Sequence, residues 1–249
     1  MELPTINYQN ILIRVRQQYH QILMSITSCD LCGEPCTSHL LLCQTCHEDL
    51  PIFNMGNVQG DLLNWPAINK SLPKITFDHL ICLSPYTAPF GQWISQLKYQ
   101  GRFEVAKLLA ELLSHHYIKN RFEHQTVDVD LIVSVPIHIN KWQQRGFNQA
   151  HLLSTVLAKK ITVPYDNKIL VRKKLTTSQV GQSDNLRRKN LINIFNVHFT
   201  QKNIPEHVLL IDDVVTTGAT ASEISRCLKL KGVKRVTVLA VCLSLANIN

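Results

Sequence analysis

Residues 208–220 read V-L-L-I-D-D-V-V-T-T-G-A-T, an apolar run that ends in two adjacent carboxylates and then in a turn of small residues. Ile224, Cys227, Leu228 and Leu230 follow at helical spacing, so the stretch spells strand, acidic edge, loop and helix. In an α/β sheet, ligands sit at the carboxyl ends of the strands. Beyond Val214, the backbone N–H groups of the loop and the hydroxyls of Thr216, Thr217 and Thr220 can surround a phosphate at the positive end of the helix that starts near Ala219. Gly218 permits a backbone conformation that other residues resist. Asp212 and Asp213 can accept hydrogen bonds from vicinal ribose hydroxyls, or hold a divalent cation through water. A sugar 5-phosphate satisfies both halves of such a site.

This order and spacing resembles the signature of type I phosphoribosyltransferases, which bind 5-phosphoribosyl-1-pyrophosphate (PRPP) with magnesium. Two acids after a buried strand also mark magnesium sites in nucleotide hydrolases and response regulators. The chain contains no G-x-x-x-x-G-K-[ST] sequence, so the hydrolase reading lacks its other half.

Cys29, Cys32, Cys43 and Cys46 form C-x2-C-x10-C-x2-C. Each knuckle presents two thiolates to one cation, and two knuckles complete the tetrahedral shell that holds structural zinc. Cys36, His39 and His47 lie close enough in sequence to compete as ligands. Disulfides in a secreted protein would need an export signal, and the N-terminus begins M-E-L-P without a basic region or apolar stretch. Cys82, Cys227 and Cys242 sit in apolar contexts and read as buried thiols.

The 249 residues, 45% hydrophobic and 18% charged, suffice for one α/β domain with a small attachment. No apolar stretch approaches the ~20 residues needed to cross a bilayer. The expected location is the cytoplasm.

Periodicity gives the organisation. Ile11, Leu12, Val15, Tyr19, Ile22, Leu23 and Ile26 predict an N-terminal amphipathic helix that leads into the cysteines. Helix and cysteine module occupy residues 1–50. Residues 51–76, punctuated by Pro51, Gly56, Gly60, Pro66 and Pro73, read as a linker that can still pack. The α/β domain is then 77–249. A strand is expected at 79–83, helices at 90–99 and 103–118, and a first central parallel strand at 127–135. Another helix is expected from Ala150, short strands at 169–171 and 194–199, the phosphate-loop strand at 207–211, and a buried strand at 236–246. This alternation predicts a parallel sheet covered by helices on both faces.

Several further motifs occur in a particular order: the knuckle pair, L-K-Y-x-G at 97–101, R-G-F-N-Q-A at 145–150, a basic stretch with T-x-x-Q at 176–179, and the phosphate loop. Together they resemble the ComF family of competence proteins, which includes ComFC-like and GntX-like members. The similarity runs from about Cys29 to Leu243. It implies a part in natural transformation, handling incoming single-stranded DNA on the cytoplasmic side with other DNA-uptake proteins as possible partners. It also implies that the loop at 136–146 holds pyrophosphate, with Arg145 the leading residue alongside the catalytic acids Asp212 and Asp213. Arg172, Lys173 and Lys174 fall where a mobile covering loop is expected, and Lys98 is a further pyrophosphate candidate. No segment resembles the hood that reads a nucleobase in many relatives, because the cysteine module stands in its place. A transformation factor with a PRPP-type pocket and an active transferase of nucleotide salvage both remain open readings.

Charge is concentrated. Residues 141–189 hold eleven Lys and Arg against two Asp, a net +9 in a chain whose total is +8. Such a segment suits a polyanion, with Lys141, Arg187, Arg188 and Lys189 as DNA contacts and Trp142 and Phe147 available to stack on bases.

Overall fold

The computed structural model describes residues 28–36, 41–72, 74–124, 128–172, 194–199 and 203–244. The expected N-terminal helix lies outside these residues, as do Lys173, Lys174, the T-x-x-Q stretch, Arg187, Arg188 and Lys189. The chain divides into two compact units, Met1–Leu50 and Pro51–Asn249.

In the first unit, Cys29, Cys36 and Leu42 are buried, and a short helix α1 (Gln44–Glu48) follows the second knuckle's first cysteine. In the second unit, a four-stranded sheet joins β1 (His79–Pro85), β2 (Leu131–Ser134), a long strand His207–Val215 and a last strand Arg235–Leu243. Two short strands intervene, β3 (Leu170–Arg172) and β4 (Phe195–Val197), so the long strand is β5 and the last is β6. The sheet order is β1-β6-β5-β2, and every pairing is parallel.

β6 reads R-V-T-V-L-A-V-C-L, and Val236 together with Val238 through Cys242 is fully buried. Successive residues of a strand point to opposite faces, so burial of consecutive residues means that both faces are covered. Val208 through Ile211 of β5 show the same. The helices of this unit are α2 (Pro66–Ser71), α3 (Phe90–Gln100), α4 (Phe103–His124), α5 (Ile139–Arg145), α6 (Gln149–Ile161) and α7 (Ala219–Lys229). Among them α4 packs on α6, α6 on β2 and β5, and α7 on β4 and β6. A parallel sheet flanked by helices, with a four-cysteine cluster near the N-terminus, is the fold class expected above.

Several details differ from expectation. β2 forms the edge of the four-stranded sheet, although its free side meets the chain again where Ile132 bridges to Tyr165 in parallel. The short strands β3 and β4 pair with each other, antiparallel, and do not join the parallel sheet. With three residues each, they can complete only a local ladder. Residues 51–76 belong to the second unit: Leu62, Ile68 and Leu72 are each 1% exposed, and Phe53 N–H donates to Leu83 O at 2.9 Å.

The two ends of the sheet are treated differently. At the amino ends of β1, β6 and β5, a carboxylate accepts a backbone amide: Asp61 from Leu80 (2.9 Å), Asp78 from Val236 (2.8 Å) and Asp130 from His207 (2.8 Å). At the carboxyl ends the acids belong to β5 itself, Asp212 accepting from the next residue's N–H at 2.8 Å. These ends open toward the loops that form the candidate site. No helix among the described residues is long and apolar enough to cross a membrane.

Candidate functional site

The Sγ atoms of Cys29, Cys32, Cys43 and Cys46 all lie within 4.8 Å of one another, so the two knuckles converge on one point. Gly33, at φ +77°, turns the first knuckle so that its N–H donates to Cys29 O at 2.9 Å. Cys43 caps α1, its Sγ accepting from Cys46 N–H at 3.4 Å. Hydrogen bonding of the neutral thiol with Cys43 and then Cys32 pushes the Cys46 thiol up. Crowded thiols that resist joint ionisation need a cation to hold them as thiolates, and this donor set fits a tetrahedral soft metal. Cys36 and His47 lie outside the converging group, and His39 lies outside the described residues.

The second unit holds an open cleft of about 460 Å³ at the carboxyl ends of β2 and β5. Its acidic wall is the end of β5. The strand continues through Asp212 and Asp213 to Val215 because β6 runs alongside, Asp212 opposite Ala240 and Val214 opposite Cys242. Asp212 Oδ1 accepts the Asp213 N–H at 2.8 Å, and Asp213 Oδ2 pairs with Lys98 Nζ at 2.7 Å. Burial first, and the neighbouring Asp213 charge second, push the Asp212 carboxyl up from its ordinary value to about 8.

The loop after this wall enters α7 through Gly218 at φ +67°, where no side chain caps the helix. Thr217 Oγ1 accepts only a long bond from Ala219 N–H, 3.4 Å. The positive end of α7 is therefore open to an anion. Thr216 and Thr220 line the cleft. Gly218 is buried behind them, and an added Cβ would meet Leu72 and Phe77 at 3.4 Å. Segment 51–76 therefore helps to support the phosphate loop from behind.

The facing wall is basic. After β2, Val135 N–H donates to Ile211 O at 2.9 Å, and Asn148 Nδ2 ties the far end of the loop back to Val135 O at 2.9 Å. Asn148 also caps α6 by accepting from Ala150 N–H at 3.1 Å. Between these points α5 forms a short helix inside the expected loop and turns out through Gly146 at φ +78°. Lys141, Arg145 and Arg172 face the cleft. The Arg145 guanidinium stacks 5.1 Å from the Tyr99 ring centroid, and Nη1 reaches Gln149 Oε1 at 3.5 Å. Arg172 lies 5.6 Å from the Phe195 ring centroid, and its buried Nε has no partner among the described residues. Partial burial, then the charges of Arg172 and Lys141, lower the His138 pKa, as a positive field requires.

Lys98, Lys141, Arg145, Arg172, Asp212, Asp213, Val214, Thr216 and Thr220 thus share one cleft. Trp142 is exposed on α5 beside Lys141. Lys98, expected among pyrophosphate contacts, is ion-paired to Asp213. Sequence reading assigned no role to Tyr99 or Gln149. Both fall inside quoted motifs, yet the meeting of Tyr99 with Arg145 across 46 residues of chain leaves no periodic trace.

No family model matches the chain. The DNA utilization protein YhgH of Salmonella typhimurium is 32% identical over 217 residues, 87% of this chain and 90% of the relative. Competence protein F of Haemophilus influenzae is 33% identical over 202 residues, 79% of this chain and 88% of the relative. The chain belongs to the ComF family of competence proteins. Competence protein ComFC of Bacillus subtilis is a more distant ComF relative, 26% identical over 208 residues, 82% of this chain and 72% of the relative. Among solved structures, this ComF protein is similar to a Bacillus subtilis glutamine PRPP amidotransferase complexed with ADP and GMP (18% identity, 53% of this chain, 25% of that one, TM-score 0.35). An adenine phosphoribosyltransferase matches with 13% identity over 57% of this chain and 71% of that one, TM-score 0.36. Likenesses this loose carry no argument; the cleft itself does.

Proposed function

We propose that this ComF-family protein binds PRPP or a related ribose 5-phosphate in the cleft and acts in natural transformation, handling incoming single-stranded DNA on the cytoplasmic side. The observation that carries the ligand reading is one cleft in which an acidic pair, an uncapped helix start and a basic wall face one another. The loop 216–220 takes the 5-phosphate, Asp212 and Asp213 accept the ribose hydroxyls, and Lys141, Arg145 and Arg172 meet the pyrophosphate. Carboxylate oxygens are the hard donors magnesium takes, so Asp212 and Asp213 would hold it through water, and it would offset pyrophosphate charge. Structural zinc is assigned to Cys29, Cys32, Cys43 and Cys46. The transformation reading is supported by relatives named for competence and DNA utilization.

Calorimetric titration with PRPP and magnesium tests the ligand. A double Asp212→Asn, Asp213→Asn variant loses carboxylates that accept hydroxyl bonds, at a cost of about 1.5–3 kcal/mol, or tenfold and more in affinity. Unchanged affinity in a folded variant would move the ligand elsewhere. The basic wall opposite the acidic pair also favours a working transferase of nucleotide salvage, and base-dependent release of pyrophosphate from PRPP would establish it.

A further inference from the structure

The amino ends of the sheet, opposite the ribose-phosphate cleft, hold a second cavity of about 360 Å³. His79 of β1, His207 of β5, Arg235 of β6 and Tyr117 of α4 line it, with Gln59 and Asn64 beside them. His207 and Asp212 lie on the same strand, about 17 Å apart at about 3.3 Å per residue, so one small ligand cannot fill both cavities.

Part of this lining is already satisfied. His207 Nδ1–H donates to Asp128 O at 2.9 Å and its Nε2 accepts the Thr237 hydroxyl at 2.8 Å, so this ring is a fixed wall. Asp61 accepts the Leu63 and Leu80 amides on Oδ1, at 3.0 and 2.9 Å, and His79 Nδ1–H on Oδ2 at 2.9 Å. The rest is unsatisfied. His79 Nε2 and the Arg235 guanidinium have no partner among the described residues. The acids nearest to Arg235 along the backbone are taken, Glu206 by Lys234 at 2.6 Å and Asp78 by Lys229 at 2.7 Å. Tyr117 is 2% exposed, and its hydroxyl also has no partner among the described residues. Burial pushes that hydroxyl up to about 12, so it keeps its proton as a donor.

The wall behind Tyr117 is short of partners too. Asn120, the next residue along this face of α4, is 1% exposed; its Nδ2 donates to Gly60 O at 2.9 Å, and its Oδ1 has no partner among the described residues. Gly60 sits at φ +81°, and an added Cβ would come within 2.8 Å of the His124 ring, so the backbone is pressed onto α4 and sets the shape of the cavity. Buried polar atoms without partners are uncommon enough to need an explanation.

We propose that this cavity binds a small phosphate monoester, with Arg235, His79 and Tyr117 on the phosphate group. An imidazole whose Nδ1–H is committed to a carboxylate presents Nε2 as an acceptor when neutral and as a donor when protonated. A phosphate monoester exchanges its second proton at about pH 6, so it can give or take the one proton that this contact needs; a carboxylate, already ionised at neutral pH, cannot give one. The Arg235 fork matches two phosphate oxygens, and the Tyr117 hydroxyl donates to a third. Gln59 and Asn64 are left for the organic part of the ester, over the apolar Ile81. The site stands independently of the ribose-phosphate reading.

The test titrates the full-length, zinc-loaded protein with glycerol 3-phosphate and with lactate, following histidine ring signals by NMR, with those of His79 assigned through a His79→Gln variant. The parent is compared with Arg235→Gln, with Tyr117→Phe, and with a Thr216→Ala, Thr220→Ala double variant of the cleft loop. Glycerol 3-phosphate is expected to shift the His79 signals saturably, and to bind more tightly than lactate by about tenfold or more. Loss of charge-assisted bonds in Arg235→Gln should weaken it by about 10- to 150-fold. Tyr117→Phe removes only an unpartnered hydroxyl, so it should weaken binding by about 2- to 10-fold with no loss of thermal stability. The cleft-loop variant leaves the His79 titration unchanged. Absence of a saturable His79 shift in the parent, equally tight binding of lactate, or unchanged affinity in Tyr117→Phe overturns the site. Loss of the His79 titration in the cleft-loop variant places the phosphate in the cleft and overturns it as well.

Discussion

Replacing Asp212 with Asn is expected to stabilise the protein while weakening its hold on ligand. Burial, and then the charge of Asp213, raise the Asp212 carboxyl from an ordinary 3.8 to about 8. Between these two values the folded protein keeps a proton that the unfolded chain releases, so this residue lowers stability progressively as pH rises from about 4 to about 8. At about 1.36 kcal/mol per pH unit, the whole shift sets a ceiling near 6 kcal/mol. Asp212 is partly exposed and shares its titration with Asp213, which reduces the expected effect to about 1–3 kcal/mol. Asn keeps the oxygen that accepts the Asp213 N–H at 2.8 Å and sheds the charge. For a chain of this size each kcal/mol moves Tm by about 2–4 °C, so the variant should melt about 2–12 °C higher at pH 8.5. The gain should shrink through neutral pH and vanish near pH 4. Thermal unfolding followed by circular dichroism, in magnesium-free buffer at several pH values, measures it. A variant less stable than the parent at pH 8.5, or a gain of the same size at pH 5 and pH 8.5, refutes the reasoning.

Two further outcomes are expected. Cys43→Ser removes one of four converging thiolates, so elemental analysis should find the variant depleted of zinc and its N-terminal region poorly soluble, since structural metal is part of such a module's folding energy; full zinc occupancy would reject the ligand assignment. Single-stranded DNA should bind residues 141–189 with steep salt dependence, and changing Arg187, Arg188 and Lys189 together to Ser should flatten the log–log slope by up to about 2, at about 0.7 per phosphate contact. The same slope and affinity in that variant would exclude these three residues, and a parent that fails to bind at low salt would count against direct DNA contact.

What could be read from the chain alone follows from how local each signal is. β5, its loop and α7 lie in one stretch, where an apolar run gives way to acids and then to helical spacing, so strand, turn and helix are all visible in order. β6 is visible for a related reason: burial on both faces makes a strand apolar throughout. Strand order is not visible, because pairing His79 with Thr237 leaves no mark in either sequence. β3 and β4 have three residues each, too few for alternation to indicate a partner. In the site, the acids, threonines and basic residues declare themselves by type. The Lys98–Asp213 pair and the stacking of Arg145 on Tyr99 depend on where separate elements come together, so residue type alone could not assign them.

The place of β6 bears on how the protein is made. It leaves the ribosome after β1, β2 and β5, yet it lies between β1 and β5, so a chain not yet synthesised that far has two strand edges facing a gap. No continuous sheet exists until residue 243 is available, and the cleft, which draws on residues from Tyr86 to Ser244, has no partial form that precedes it. Slow, long-range closure of this kind leaves apolar edges exposed during synthesis. It also means that a ligand held between the end of β5 and the loop after β2 stabilises the sheet that brings the two together.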